Sequence, residues 1–499
     1  MSQSEITFSR VFKSRYVILL AAIVTVFVVG MISTINPLFA LGMVIASLLF
    51  MFLLKQPNAV VILVAFILYT NTAVVMIKFH NVQPIVAYSL PLLLVIPLVW
   101  QIFVNKQQIK IDFVFVLMLV YFSIMLLGSA FSRDINLAMP NLIVYVAEGL
   151  GLYFLLINTI RTPKLLRQIV WSLLIGGALI GGLSLYQQVT GTFDNNYWGF
   201  AQVTGQGFTT GETLQGTITQ PRVSGSIGEK NRYAQIMLML APLGLFLAWG
   251  EPSKRLRFLA FLLTGLIFVG GSLAFSRGAQ VGLLILIVVM TFMRYIKVHQ
   301  LIIILLGLIL LVLAFPQNTV RFGTLGAIFA SDEEGGLRSA DGAIQGRATE
   351  MLAAALVFMD HPVIGVGPGM FRREMVEYSR EIGLRNIITT RAAHSLYPGV
   401  AAETGALGLM TLMGIFFYTL YNLSKSRKYW LEKDNISMAN LSTGFFLAII
   451  SYMATGFFLH FAYIRYFWLM IALSVIMSSF REIDVTGQPD AGRDIVGDT

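Results

Sequence analysis

The chain is a near-unbroken succession of apolar runs, each roughly 18–22 residues long and each able, as a helix, to cross ~30 Å of hydrocarbon. The runs fall near 17–35, 37–54, 59–76, 86–104, 112–130, 141–159, 168–188, 234–250, 257–275, 278–296, 299–315, 396–423, 438–459 and 461–480. Of the 499 residues, 57% are hydrophobic and 12% charged, about half the charged share of a soluble domain. So little polar surface cannot cover a water-facing molecule, whereas lipid accepts apolar side chains on the outside. The expected fold is an all-α integral membrane protein with about 12–14 transmembrane helices and a large, partly helical external loop.

Charge sets the expected orientation. Arg10, Lys13 and Arg15 precede the first run, and alternate joints contain Lys55; Lys106 and Lys110; Arg161, Lys164 and Arg167; Lys254, Arg255 and Arg257; Arg294 and Lys297; and Lys425, Arg427, Lys428 and Lys433. The opposite short joints hold Lys78, Arg133, Arg277 and Arg465. Cytoplasmic loops retain Lys and Arg, so both termini are expected in the cytoplasm. The formal charge of +10 then needs no nucleic-acid partner, and no basic run with interleaved aromatics points to one. With no cysteine, disulfides, thiolate chemistry, iron–sulfur clusters and cysteine zinc sites are excluded. The first run has no small-residue cleavage site after it and reads as a retained span. The expected organisation is transmembrane helices over 1–315, a large external loop over 316–395, further transmembrane helices over 396–480, and a disordered cytoplasmic tail over 481–499.

Two long joints break the rhythm, near 190–233 and 316–395, and both fall on the external side. The second contains a helix signal from Gln345 to Asp360, which His361-Pro362 ends, followed by the turn Gly365-Val366-Gly367-Pro368-Gly369. An ordered cap over the membrane domain is the natural reading. Its cations are Arg321, Arg338, Arg347, Arg372, Arg373, Arg380, Arg385 and Arg391, with no lysine. Arginine offers a rigid, permanently charged fork suited to phosphate or carboxylate. Arg372 to Arg385 read as partners of Glu374, Glu377 and Glu381 on a solvated helix. Arg347 opens the apolar helix and is expected to face the membrane domain. Arg277, in Phe275-Ser276-Arg277-Gly278, is a cation in a tight outer turn, where the alternative is an arginine snorkelling to the headgroups.

His394 precedes a span that opens Ser395-Leu396-Tyr397-Pro398. An imidazole there is either a general base or a capping residue. Glu403, two turns deeper, and Glu148 are intramembrane acids that need partners, with Arg277 or Arg465 as candidates. Arg222 lies among flexible residues from Gln220 to Gly228. Asp332-Glu333-Glu334 reads as a solvated cluster, and His80, His299 and His460 are scattered without ligand spacing. No metal site or cofactor is expected.

At this point the sequence resembles the O-antigen ligase family, whose relatives include O-antigen and exopolysaccharide polymerases. His394-Ser395, nine residues, Gly405, two residues and Gly408 are similar to that family's histidine motif with spaced glycines. Phe275 to Ala279 resembles its outer-turn arginine motif, with Val281 where leucine is common. Arg347 followed by His361-Pro362-Val363-Ile364-Gly365-Val366-Gly367 resembles its loop segment, and Gly225 to Asn231 its glycine–asparagine segment. The resemblance is densest over Arg222–Gly408. It implies a membrane glycosyltransferase, inverting and metal-independent, of the bacterial inner membrane, acting on its periplasmic face. The donor would be a glycan on undecaprenyl diphosphate and the acceptor a sugar hydroxyl, such as that of lipid A-core. Under that resemblance His394 is the expected base and Arg277 and Arg347 the diphosphate ligands, with Arg222, Arg391, Glu403 and Arg465 as further substrate-binding candidates. A polymerase that extends a lipid-linked glycan shares the same donor chemistry. A flippase or other transporter would place its charges near the midplane of paired broken helices.

Overall fold

In the computed structural model, the described residues are 55–204, 208–213, 216–303, 305–306, 342–383, 390–461 and 464–486. The spans expected at 17–35 and 37–54 lie outside them, as does most of the span near 299–315. The helices are α1 (Pro57–Tyr69), α2 (Thr72–His80), α3 (Pro84–Val104), α4 (Phe113–Ala130), α5 (Ile135–Thr159), α6 (Pro163–Thr190), α7 (Lys230–Gly250), α8 (Lys254–Ser272), α9 (Arg277–Phe292), α10 (Gly342–Asp360), α11 (Phe371–Ile382), α12 (Leu396–Glu432), α13 (Ile436–Gly456) and α14 (Ile464–Thr486). Nine of the described helices are long and apolar enough to cross a bilayer, and the bent pair α1–α2 brings the number to ten. The protein is an all-α multi-pass membrane protein. The helix α14 continues to Thr486, past the expected start of the tail at 481.

Polar residues set the helix starts. Asp112 accepts from the backbone N–H of Phe115 at α4, Thr162 from that of Leu165 at α6, and Glu229 from those of Asn231 and Arg232 at α7. Tyr153 also donates to Asp112, at 2.8 Å, so this cap joins α4 to α5. Lipid-facing sides are marked by exposed Phe131, Ile143, Phe258, Phe292 and Phe417, an arrangement stable only in an apolar solvent. Burial then ranks the helices. In α7, 83% of the apolar stretch is buried, and in α14, 78%; in α3 and α8 only 22% and 17% are. In lipid the helices pack without a hydrophobic driving force, by close approach of small residues. Gly181 of α6 and Gly270 of α8 meet backbone to backbone, with no room for a Cβ on either.

Polar contacts sort the joints onto two ends of the bundle. At one end Arg167 pairs with Glu251, whose carbonyl also accepts from Arg257 at 2.8 Å, and Lys433 pairs with Asp484 at 2.7 Å. These are the lysine- and arginine-rich joints. The 190–230 segment is at the other end, where it forms two small antiparallel ribbons: β1 (Gln202–Val203) with β4 (Val223–Gly225), and β2 (Phe208–Thr213) with β3 (Gly216–Gln220). A half-buried ion pair supports this end. Arg465 of α14 donates to Glu148 in the π-helical stretch Tyr145–Gly151 of α5, at 2.9 Å, and to the side chain of Asn71. Asn71 sits at the 58° break between α1 and α2 with a left-handed φ of 60°, a conformation asparagine tolerates, and donates to the carbonyl of Ser226 at 2.7 Å. The expected Glu148–Arg465 pairing is therefore present.

Candidate functional site

The site starts from the tight turn between α8 and α9. Phe275 takes a left-handed φ of 48°, Ser276 occupies the N-cap position, and Arg277 opens α9, half-buried. Arg222, 5% exposed, fixes that turn: its Nε donates to the Ala274 carbonyl at 2.7 Å, and Nη2 to the Phe275 carbonyl and Asn231, both at 3.1 Å. Arg222 thus holds the backbone that presents Arg277. The next residue, Gly278, lies against Phe458; an added Cβ would stand 2.8 Å from the Phe458 Cβ.

Phe458 belongs to the joint between α13 and α14, which also carries His460. Arg232, 2% exposed, donates to the His460 carbonyl at 2.6 Å and to Gln235 at 2.8 Å, and Gln235 donates to Thr455 at 2.9 Å. The His460 ring lies edge-on to that of His394, with centroids 6.0 Å apart. Burial, with the positive charges of Arg232 and Arg372 nearby, holds the His460 imidazole neutral, well below its ordinary titration range. A group with a depressed folded-state value adds stability that is complete above the unfolded value near 6.5 and is lost as pH falls below it. Thermal stability of the purified protein is therefore expected to decline below about pH 6.5, with a slope of at most ~1.4 kcal/mol per pH unit from this residue. His460→Phe should flatten that decline; an unchanged profile would remove His460 as its source.

His394 meets the cap directly. Its Nδ1 is hydrogen-bonded to Glu350 of α10, and the other carboxylate oxygen of Glu350 lies 3.8 Å from Nη1 of Arg391. Glu350 is 1% exposed, His394 33% and Arg391 42%, so the carboxylate is enclosed while the imidazole and guanidinium reach the surface. Arg347, half-buried, precedes Glu350 by three residues, a spacing that places both on one face of α10. Two alanines of α10 let it approach closely: Ala353, Ala354 and Val357 pack on Phe371 and Met375 of α11, and on Ala393 and Ala402.

The glycine turn locks the cap to the membrane helices. The helix α12 breaks at Gly405, with φ 66° and ψ −168°, a region open essentially only to glycine. Into the break fits the segment 362–367. Ala406 donates to the Pro362 carbonyl at 2.8 Å, Val366 to Ala402 at 2.9 Å, and Gly367 to Glu403 at 3.0 Å. A Cβ on Gly405 would collide with the main chain of Val363, and one on Gly365 with that of Glu403. The Glu403 side chain accepts from the Gly369 N–H, with Arg372 as the nearby cation, instead of pairing with Arg277 or Arg465 as expected. Gly405→Ala should cost about 1–3 kcal/mol in backbone strain alone and release the cap. Limited proteolysis after Arg372 or Arg373 is the check, and wild-type resistance in the variant would contradict this docking.

Residues 260–413 of this chain match the family model described as O-antigen ligase. Over that stretch, under half of its length, the chain resembles the O-antigen ligase family. No curated protein matches it. The family is one of glycosyltransferase-like membrane enzymes. The O-antigen ligase match takes in Arg277, Arg347, Arg391, His394 and Glu403; Arg222 and Arg465 lie outside it.

His460, His394, Glu350 and Arg391 form one run of contacts, with Gly278, the neighbour of Arg277, packed against Phe458 two residues before His460, and Arg347 one turn before Glu350 on α10. Arg222, Glu403 and Arg465 are instead engaged by the outer turn, the glycine turn and the α5–α14 ion pair. The cap acids also differ from expectation. Glu374 and Glu377 lie 3.2 and 3.8 Å from Arg133, in the joint between α4 and α5, and Arg373 lies 3.6 Å from Asp134. They dock α11 on the membrane domain rather than pairing along a solvated face. Three contributors went unassigned in the sequence: Glu350, Arg232 and His460. Glu350 had a local signal, an acid three residues after Arg347 in a helix that is otherwise apolar up to Asp360. His460 is 66 residues from His394 in the chain, and no spacing rule links them.

Proposed function

We propose that this protein transfers a glycan from an undecaprenyl diphosphate carrier to a sugar hydroxyl, that of a lipid A-core acceptor, at the periplasmic face of the bacterial inner membrane. The observation that carries the reading is that α10, with Arg347, touches His394 directly, inside the stretch that matches the O-antigen ligase family. His394 takes the proton of the acceptor hydroxyl as its oxygen attacks the anomeric carbon. The bond from that carbon to the diphosphate oxygen breaks, and undecaprenyl diphosphate leaves with the electron pair. Displacement from the opposite face inverts the anomeric carbon. Arg277 and Arg347 bind the diphosphate, and Arg391, held 3.8 Å from Glu350, is a further guanidinium available to it. In this reading permanent guanidinium charge compensates the leaving group in place of a metal, so transfer should persist in excess EDTA.

Purified protein in lipid nanodiscs, given lipid-linked glycan and either lipid A-core or a second lipid-linked repeat, tests the reading. Product on lipid A-core supports ligase activity; product only on the second repeat would replace it with polymerase activity, and no product on either would reject both. The proposed orientation puts both termini in the cytoplasm. The chain lacks native cysteine, so single substitutions report sidedness directly. Glu381→Cys should react with an impermeant maleimide on intact spheroplasts, and Lys428→Cys only after lysis. The reverse pattern would invert the topology.

A further inference from the structure

We propose that Glu350 is a positioning residue that acts through His394, fixing the imidazole so that Nε2 is the nitrogen that takes the acceptor proton. The inference rests on the reading of His394 as the base. An ionised carboxylate can only accept hydrogen bonds, so its contact with Nδ1 requires the proton on that nitrogen. The neutral ring then carries its lone pair on Nε2. The burial difference sets the direction of the ring. Glu350, at 1% exposure, lies inside, and the one-third-exposed imidazole turns its opposite edge outward.

The surroundings make Glu350 a rigid anchor. It projects from α10 just before Ala353, Ala354 and Val357, which are fully buried against α11 and the start of α12. A buried carboxylate needs compensation on both oxygens, and here one faces His394 and the other Arg391. His394 and Arg391 are three residues apart on the strand of chain that leads into α12. One acid therefore aligns the proposed base and a guanidinium of the proposed diphosphate pocket together. His460, edge-on at 6.0 Å, closes the other side of the His394 ring. When Nε2 gains the proton, Nδ1 keeps its own, Glu350 stays ionised, and the ring's new positive charge has a fixed negative partner. This is the role of an orienting acid behind a catalytic histidine. Glu350 itself touches neither the anomeric carbon nor the acceptor oxygen.

The test compares Glu350→Gln, Glu350→Asp, His394→Ala and Glu350→Gln/His394→Ala in nanodiscs, with lipid-linked glycan and whichever acceptor the wild type uses. Glu350→Gln should lower kcat ~10²-fold or more, with KM within about threefold and the protein still folded. The double variant should be no slower than His394→Ala alone, because a residue acting through His394 has nothing left to position. Glu350→Asp, which keeps the charge on a shorter arm, should recover part of the lost kcat. It is also the reference if Glu350→Gln lowers the folded fraction. Wild-type kcat in Glu350→Gln, a double variant slower by the product of both single losses, or an Asp variant no better than Gln at equal folded fraction would each overturn the proposal. Wild-type transfer by His394→Ala would instead overturn the base assignment itself, so the two failures are distinguishable.

Discussion

Glycan transfer by His394→Ala is expected to fall about 10²–10⁴-fold, the range that positioned general bases contribute, with donor affinity changed by no more than a few-fold. The expected split follows from the division of labour in the site. Donor affinity comes from guanidinium groups on the diphosphate, and His394 acts on the acceptor hydroxyl, which needs a base only once its oxygen begins to attack. A loss confined to kcat therefore marks a transition-state role. A structural role predicts something else. His394 is held to Glu350 and packs on His460, so a merely structural histidine would reveal itself through a lower melting temperature and a rise in KM. A transporter predicts a third outcome, lipid-linked glycan moved across the bilayer by the variant as well as by the wild type. Measuring transfer, donor binding and thermal stability on one preparation separates the three.

Much of this architecture is written in the primary structure because lipid imposes a coarse rule. The expected runs near 112–130 and 234–250 correspond to α4 and α7 within a few residues, as length and apolarity alone decide a span. The break between α1 and α2 was less legible. Thr70-Asn71-Thr72, with Asn71 left-handed, is a short polar interruption of an apolar run, and the partner of Asn71, Arg465, arrives from almost 400 residues away. The residues from Gln220 to Gly228 read as flexible, yet they supply part of two ribbons, since short polar strands paired with each other lack the alternation that marks a half-buried sheet. At the site Arg277 stood out as a cation in a tight outer turn, and Arg347 and His394 as charged or titratable groups in an external loop that has no lysine. Their supports did not. Arg222 and Arg232 look like loop and helix-start cations, and only the fold shows that both guanidinium groups hold backbone carbonyls of other segments. A side chain that binds main chain leaves no residue-type pattern at the segment it holds.

Arg277→Ala and Arg347→Ala should each reduce kcat/KM about 10²–10³-fold, comparable to removal of one preorganised donor from a developing negative charge. The leaving diphosphate gains charge as the anomeric bond breaks, and a guanidinium fixed before the reaction begins stabilises that charge without reorganising. Arg277 is fixed by its turn, because Arg222 fastens the carbonyls of Ala274 and Phe275 and Gly278 seats the helix start on Phe458. Arg347 is fixed by α10, whose far end is tied to α11 by the hydrogen bond from Tyr378 to Asp360 at 2.5 Å. Lysine should restore little at either position, since an ammonium group supplies charge without the planar fork that engages two oxygens. Arg222→Lys separates position from charge on the same turn. It keeps a cation but loses the pair of carbonyl contacts, so kcat/KM should drop in step with disorder of the 274–278 turn, as reported by proteolysis or hydrogen exchange. A variant with Arg277 replaced by Lys that transfers glycan at the wild-type rate would mean that simple charge is sufficient, and the paired-oxygen model of diphosphate binding would have to be given up.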